Sequence, residues 1–324
     1  MITVAGEALI DLVGDGVTFD AKLGGSPFNV AVGLARLGAS CEFLGRLSRD
    51  SFGVRLRRHL KQHGVSLRAA VEADEPTTLA IATLDEHGAA SYEFYVTGTA
   101  DWQWRHAEIP ERLPDDVAAL HTGSLALLVE PGASLLEHLL RREHARGAVT
   151  ISIDPNLRPL LERDARSARH RVERQIRYAH LVKASAEDLA WLYPGEEPER
   201  VARKWRELGP SVVVVTLGAD GALAVGPRNA PMTVAAPRVA VVDTVGAGDA
   251  FTAALLSGLA ERDLLVTVRG VPGSSEAGQG AMTEDAAELL DDALPDLLGR
   301  ACAAAAITCQ RAGADPPTAA ELAR

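Results

Sequence analysis

Cysteine is scarce in this chain: Cys41, Cys302 and Cys309 are all that 324 residues contain. They form no C-x-x-C pair and no disulfide-like framework, which fits a reducing cytoplasm. Aromatic residues are only 4%, so Ala, Val, Leu and Gly must do most of the packing. Positive charge is also short, with 33 Lys and Arg against 44 Asp and Glu and a formal charge of −11. Without a basic surplus to neutralise phosphates, nucleic acid is excluded as a partner. No run of about 18 uncharged apolar residues exists, so nothing is expected to span a membrane. The opening "MITVAGEALIDLV" has no basic n-region, and Glu7 and Asp11 interrupt it; it does not read as a signal peptide. Two phosphate motifs are missing as well. G-x-x-x-x-G-K-[ST] is absent, and "GAGDAF" lacks the third glycine of G-x-G-x-x-G.

Apolar residues are abundant at 47%. Length alone suggests roughly two domains, although α/β chains of this size often fold around one large core. Short β-rich apolar runs stand at 2–6, 148–153, 179–184 and 211–217, bounded by Gly, Pro or Asp. Helical patterns lie between them, at 29–39, 134–147 and 198–209. That alternation predicts a parallel sheet with helices on both faces. Two segments depart from it. "TTLAIATLDEHGAASYEFYV" (77–96) reads as two strands joined by a turn at "DEHG", and with residues 11–23 it predicts a small second sheet. Such a sheet cannot bury both faces alone and should cover a ligand or a partner. "GVPGSSEAGQG" (270–280) reads as a Gly/Ser-rich loop.

The most informative stretch is "VDTVGAGDAFTAALLSGL" (242–259). Gly246 and Gly248 carry no Cβ, so the backbone can turn sharply and a ligand can approach its N–H groups. A helical pattern starts at the same point. Its first N–H groups lack intrahelical partners and carry partial positive charge, which makes an anion site. Asp249 would then lie beside a bound phosphoryl group, ionised by the helix end and able to take a hydroxyl proton. The plainer reading is a helix cap. Four further polar clusters stand where strands should end: "HTGS" (121–124), "DPNLR" (154–158), "KASAED" (183–188) and "TLGADG" (216–221). Ligands of open α/β sheets bind outside those carboxyl ends.

These motifs resemble the ribokinase-like (PfkB) carbohydrate kinases over nearly the whole chain. "GGSPFNVAVGLARLG" (24–38), followed by "GRLSRDSFG" (45–53), matches the N-terminal signature, and 242–259 matches the C-terminal one. "GEALIDLV", "GGSPFN" and "DPNLRP" are most similar to the fructokinase-like members. The resemblance implies one domain over 1–324, a three-layer α/β/α sandwich with a lid built from about 11–23 and 77–104. It implies phosphorylation of a primary sugar hydroxyl by ATP with Mg2+, fructose first, with ribose, a nucleoside or 2-keto-3-deoxygluconate as alternatives. A silent sugar-binding relative is the remote alternative, and a homodimer through the lid is implied too.

Carried over residue by residue, Asp249 is the base and Gly246, Ala247 and Gly248 form the anion hole. Asp11, Gly25 and Asn29 hold sugar hydroxyls, and Arg158 lies near the substrate or the phosphates. Thr216, Gly218 and Gly221 lie along the nucleotide, with Lys183 and Asn156 near its phosphates. Glu187 positions water-coordinated magnesium, and Asp243 lies by a monovalent cation, K+. Asp11 and Asn29 supply the acceptors and donors that sugar hydroxyls need, and Arg158 suits charged oxygens. Two departures stand out. Ala184 occupies the Asn place of N-x-x-E, although Lys183, Ser185 and Glu187 fit K-x-S-x-E. Val96 stands where many relatives carry an arginine, which argues against an acidic sugar and weakens fructose.

Other candidates have bland readings. His59 and His63 are spaced like helical metal ligands but sit among charges, as a solvated face. Trp102 and Trp104 could stack on a sugar or pack inside. The charged run 161–177 reads as a solvated helix, and Asp154 as a ligand or as an Asp-Pro turn starter.

Overall fold

The computed structural model describes residues 1–84, 90–269 and 282–323. The expected "DEHG" turn and the 270–280 loop lie outside the described residues. In chain order the first strands are β1 (Ile2–Ala5), β2 (Leu9–Gly14), β3 (Phe19–Gly24), β4 (Cys41–Leu44), β5 (Arg46–Ser48), β6 (Val71–Ala73) and β7 (Leu79–Leu84). There follow β8 (Ala90–Tyr95), β9 (Ala119–Gly123), β10 (Thr150–Asp154), β11 (Leu181–Ser185), β12 (Val212–Thr216), β13 (Ala222–Val225) and β14 (Pro231–Val234). The main sheet has the order β14-β13-β12-β11-β10-β9-β1-β4. From β12 to β4 all pairs are parallel, and β13 and β14 add an antiparallel edge. Pro231 opens the edge strand β14, a place where a missing N–H costs no ladder bond.

The helices are α1 (Ser26–Arg36), α2 (Ser51–Gln62), α3 (Gly132–Arg146), α4 (Ala165–Ile176), α5 (Ala186–Leu192) and α6 (Pro198–Glu207). After them come α7 (Ala247–Glu261), α8 (Leu265–Arg269), α9 (Glu284–Cys309) and α10 (Ala319–Leu322). Strand alternation sorts them into two layers. Val212 and Val214 face a core shared with α1, α2, α7, α8 and α9. Val213 and Val215 face the other core, with α3, α4, α5 and α6. A strand buried on both faces reads as a continuous apolar run, which is what "VVVV" is. The expected three-layer sandwich is therefore present.

Helix α7 is buried continuously from Asp249 to Leu259. A helix apolar all round must lie inside, and α7 packs between α1 and α9. Its catalytic candidate thus sits on a rigid element. The small sheet has the order β3-β2-β7-β8, with β2 parallel to β7 and the other pairs antiparallel. It stands beside the carboxyl ends of the main sheet because β1 runs directly into β2 and β3 directly into α1.

One minor expectation changes, and one open reading closes on its interior alternative. The charged run 161–177 yields α4 over 165–176 only, and Ala168, Val172, Gln175 and Ile176 are buried, so it is amphipathic. Trp102 and Trp104 are interior side chains in two different clusters and do not present a stacking surface.

Candidate active site

Gly246 caps α7 with φ of 75°, a left-handed backbone that a side chain resists. A Cβ there would also lie 2.6 Å from that of Ala314. The turn therefore requires glycine, and it delivers Asp249 in the first turn of the helix. Ser26 Oγ donates to Asp249 Oδ1 at 2.6 Å, and Asn29 Nδ2 donates to Oδ2 at 2.8 Å. Ser26 and Asn29 belong to the first turn of α1, whose cap is Gly25 with φ of 103°. At Gly25 a Cβ would come within 2.8 Å of Glu7 O, so the two chain passages touch there.

Burial pushes the Asp249 carboxyl above its ordinary value. The bonds from Ser26 and Asn29 and the charge of Lys183 oppose that, and Asp154 adds to it. The helix end does not by itself set the ionisation of Asp249; desolvation is the largest influence. Lys183 is buried beneath the turn, with Nζ 2.9 Å from where a Cβ of Gly248 would be. It donates to Asp154 Oδ2 at 2.8 Å. Burial disfavours its charge, but Asp154 outweighs this and its pKa is raised. Lys183 is thus a fixed cation under the anion turn, and Asp154 is its buried partner more than a turn starter.

The loop after β10 carries Asn156 and Arg158. Asn156 has φ of 39°, and its N–H donates to Asp154 Oδ1. Arg158 Nη1 donates to Asn156 Oδ1 at 2.8 Å and to the Asn156 and Leu157 carbonyls. Leu157 N–H donates to Asp188 Oδ1, which fixes the loop to α5. Asp11, on β2, lies close enough to Arg158 and Asp249 for their charges to act on it. Burial raises its pKa to about 6; Arg158 lowers it and Asp249 raises it. Asp11 of the small sheet thus meets Arg158 and Asp249 of the sandwich, and Lys183 acts on Asp249.

Further along the sheet edge, Thr216 ends β12 beside Ser185 at the end of β11. Gly218 and Gly221 follow with positive φ, and Leu217 N–H donates to Gly221 O. Glu187 is exposed in the first turn of α5, while its neighbour Asp188 forms a capping box with Ser185. Asp243 sits on the outer side of the anion turn. It accepts Val245 N–H at 3.0 Å and Gly313 N–H at 2.7 Å. His59 stacks on Phe28 and meets His63 edge-on. No cluster of three His, Cys, Asp or Glu stands ready for a metal among the described residues. Val96 packs with Leu9, Ala80 and Trp102 at the root of the small sheet.

Four participants had no role in the sequence reading. Ser26 follows the glycine pair directly, and a hydroxyl there was a usable signal. Asp188 follows Glu187 and competes with it for attention. Glu7 and Asp101 are buried carboxyls, and only their tertiary setting distinguishes them from surface acids.

A buried carboxylate in the first turn of α7, held by Ser26 and Asn29 and close to Asp11, Arg158 and Lys183, fits a phosphotransferase acting on an alcohol. The chain belongs to the pfkB family of carbohydrate kinases, whose pattern matches residues 1–320. It is similar to a fructokinase of Rhizobium leguminosarum bv. trifolii, 38% identical over 281 residues that cover 85% of this chain and 84% of the relative. Among solved structures it resembles a fructokinase from Xylella fastidiosa with bound ATP, at TM-score 0.84 and 28% identity, covering 99% of this chain and 96% of that one. A fructokinase double mutant from Vibrio cholerae O395 in its fructose, ADP and potassium ion bound form matches at TM-score 0.79 and 27% identity, covering 99% and 96%. The protein is thus a sugar kinase.

Proposed function

We propose that the protein phosphorylates D-fructose at its 6-hydroxymethyl group, consuming ATP and releasing fructose 6-phosphate and ADP. The observation that carries this reading is the Asp249 carboxylate, held by Ser26 and Asn29 at the N-terminus of α7 and facing Asp11 and Arg158. The sugar oxygen forms a bond to the γ-phosphorus as the bond from phosphorus to the β-phosphate oxygen breaks. Its proton passes to Asp249. The N–H groups of the 246–248 turn and buried Lys183 offset the charge on the transferred group. Asp11, with Gly25, Asn29 and Arg158, orients the sugar; Thr216, Gly218, Gly221 and Asn156 line the nucleotide. The lid excludes water.

Glu187 would hold a water-coordinated magnesium ion, which would supply positive charge to the phosphates. The donor set fits an ion that keeps most of its waters: Glu187 offers one exposed carboxylate and no protein cage surrounds it. Asp243, beside the 309–313 segment, is the place for a potassium ion. Exposed Val17, Phe19 and Tyr95 on the small sheet favour a second copy as its cover. Three unpaired thiols accord with a cytoplasmic enzyme.

The test is ADP release with ATP, magnesium and potassium across fructose, ribose, adenosine, inosine and 2-keto-3-deoxygluconate, with Asp249→Asn as control. Fructose turnover that vanishes in the variant supports substrate and base together. Turnover of another sugar in place of fructose overturns the substrate. The apolar seat of Val96 leaves no cation at that position for a sugar acid, so 2-keto-3-deoxygluconate is expected to be poor.

A further inference from the structure

Among the described residues, the chain passes between the core and the small sheet at four places: 6–8, 24–25, 74–78 and 96–100. Three of these meet at one buried carboxyl. Ala8 N–H donates to Asp101 Oδ1 at 2.8 Å. Thr78 Oγ1 lies 2.5 Å from Asp101 Oδ2. Thr78 Oγ1 is also 2.6 Å from Thr99 Oγ1, which in turn contacts Val96 O at 2.9 Å. The fourth passage touches the first, because Gly25 lies against Glu7 and Ala8. Gly25 leads into Ser26 and Asn29, which hold Asp249.

Counting protons along this chain gives a result. Three oxygen–oxygen contacts run from Asp101 through Thr78 and Thr99 to Val96. Each needs one proton, yet the two threonine hydroxyls supply only two. Thr78, Thr99 and Asp101 are 0%, 5% and 3% exposed, so solvent does not complete the set. The third proton has to come from the carboxyl. With it, Asp101 donates to Thr78, Thr78 to Thr99, and Thr99 to the Val96 carbonyl. Without it, two oxygens face each other at hydrogen-bond distance with no proton between them.

We propose that Asp101 is a positioning residue of the sugar site that works as the neutral carboxylic acid, its proton closing an Asp101–Thr78–Thr99–Val96 chain that locks the passages to the small sheet. The consequence for catalysis rests on the sugar-kinase reading above. Burial, the largest influence, raises the Asp101 pKa to about 6, against hydrogen bonds from the Thr78 hydroxyl and the backbone of Ala8, Asp101 and Thr78 that lower it. The charged groups around it are Glu7 on the first passage and Arg46, which donates to Ala100 O and pairs with Glu75 and Glu108. As pH rises the chain loses its third proton, the lid loosens, and the sugar KM rises.

The experiment compares wild type, Asp101→Asn, Asp101→Ala and Thr99→Val by melting temperature from about pH 5 to about pH 8, and by fructose and ATP KM. Asparagine keeps a donor toward Thr78 and an acceptor for Ala8. Its fructose KM should stay near wild type and lose its rise with pH, while Asp101→Ala raises that KM about tenfold and leaves the ATP KM unchanged. Wild-type melting temperature should fall relative to Asp101→Asn as pH rises. Thr99→Val leaves one contact, which the Thr78 proton satisfies, so its melting temperature should fall less steeply with pH than that of wild type, the share due to the burial of Asp101 and Glu7 remaining. That variant keeps the test open if Asp101→Ala does not fold. The proposal is overturned if Asp101→Asn impairs fructose binding as alanine does, or if Thr99→Val keeps the wild-type profile. If wild type turns over no fructose, the substrate reading falls, and the melting profiles still decide the proton.

Discussion

At Asp249, desolvation and local charge pull in opposite directions. The carboxylate must be ionised to accept a proton, so kcat/KM for the sugar should rise with pH through an acid limb above the usual carboxylate range. Lys183 holds that limb down. Lys183→Met removes the cation and leaves Asp154 uncompensated, and both changes push Asp249 further up. The acid limb of the pH–rate profile should therefore move to higher pH, and an unmoved limb would show that Lys183 does not act on the base. Asp249→Asn should lower kcat by about 10²–10⁴. Sugar-dependent thermal stabilisation should persist in that variant, since Asp11 and Arg158 are untouched. Asp249 stood out in the sequence through its glycine turn, whereas Asp11 and Arg158 were singled out only by the resemblance to the kinase family. Ser26 was not, although it stands next to Gly25, because a serine after a glycine pair is equally an ordinary helix start.

In the proposed mechanism, the 246–248 turn and α7 form the element that converts backbone geometry into charge stabilisation. Gly246→Ala places a Cβ against the backbone of Ala314 and forces a left-handed residue. It should cost about 1–3 kcal/mol in unfolding free energy and lower kcat more than sugar affinity, because the turn bears on the phosphoryl group. Denaturant unfolding and steady-state kinetics of the one variant check both. The burial of α7 was legible in its unbroken apolar run, and the strand ends were legible as polar clusters after apolar runs. The amphipathic character of α4 was hidden, since its four arginines equal in number the positions that face the core, and one of those is the polar Gln175.

Across the whole molecule, the cleft joins a rigid sandwich to a lid, and buried acids cluster at that junction. Glu7 shows the cost. Burial raises its pKa from 4.5 to about 7. A carboxyl with a raised folded-state value binds its proton more tightly when folded. Its full contribution is present below about 4.5 and is lost as pH rises through about 7. That amounts to about 3 kcal/mol as an upper figure. Glu7→Gln should match wild type in stability near the lower end of that window and exceed it above the upper end. Equal pH dependence in the two proteins would remove Glu7 from the account. The same junction explains why the lid was legible as a sheet and its hinge was not. Strand pairs announce themselves by alternation, whereas Asp101, Thr78 and Ala8 are brought together across 23 and 93 residues of chain.

What the sequence determined by itself was local: the alternation of strand and helix, the glycine turn before Asp249, and the gathering of polar residues at strand ends. Periodicity and turn chemistry reach only a few residues along the chain. The tertiary structure decided what those local pieces face. It set Ser26 and Asn29 on Asp249 from more than 200 residues away, buried Lys183 with Asp154 beneath the anion turn, and gathered the lid passages on Asp101. These are contacts between elements, fixed by how the layers pack, and burial then sets the charge each carboxyl carries.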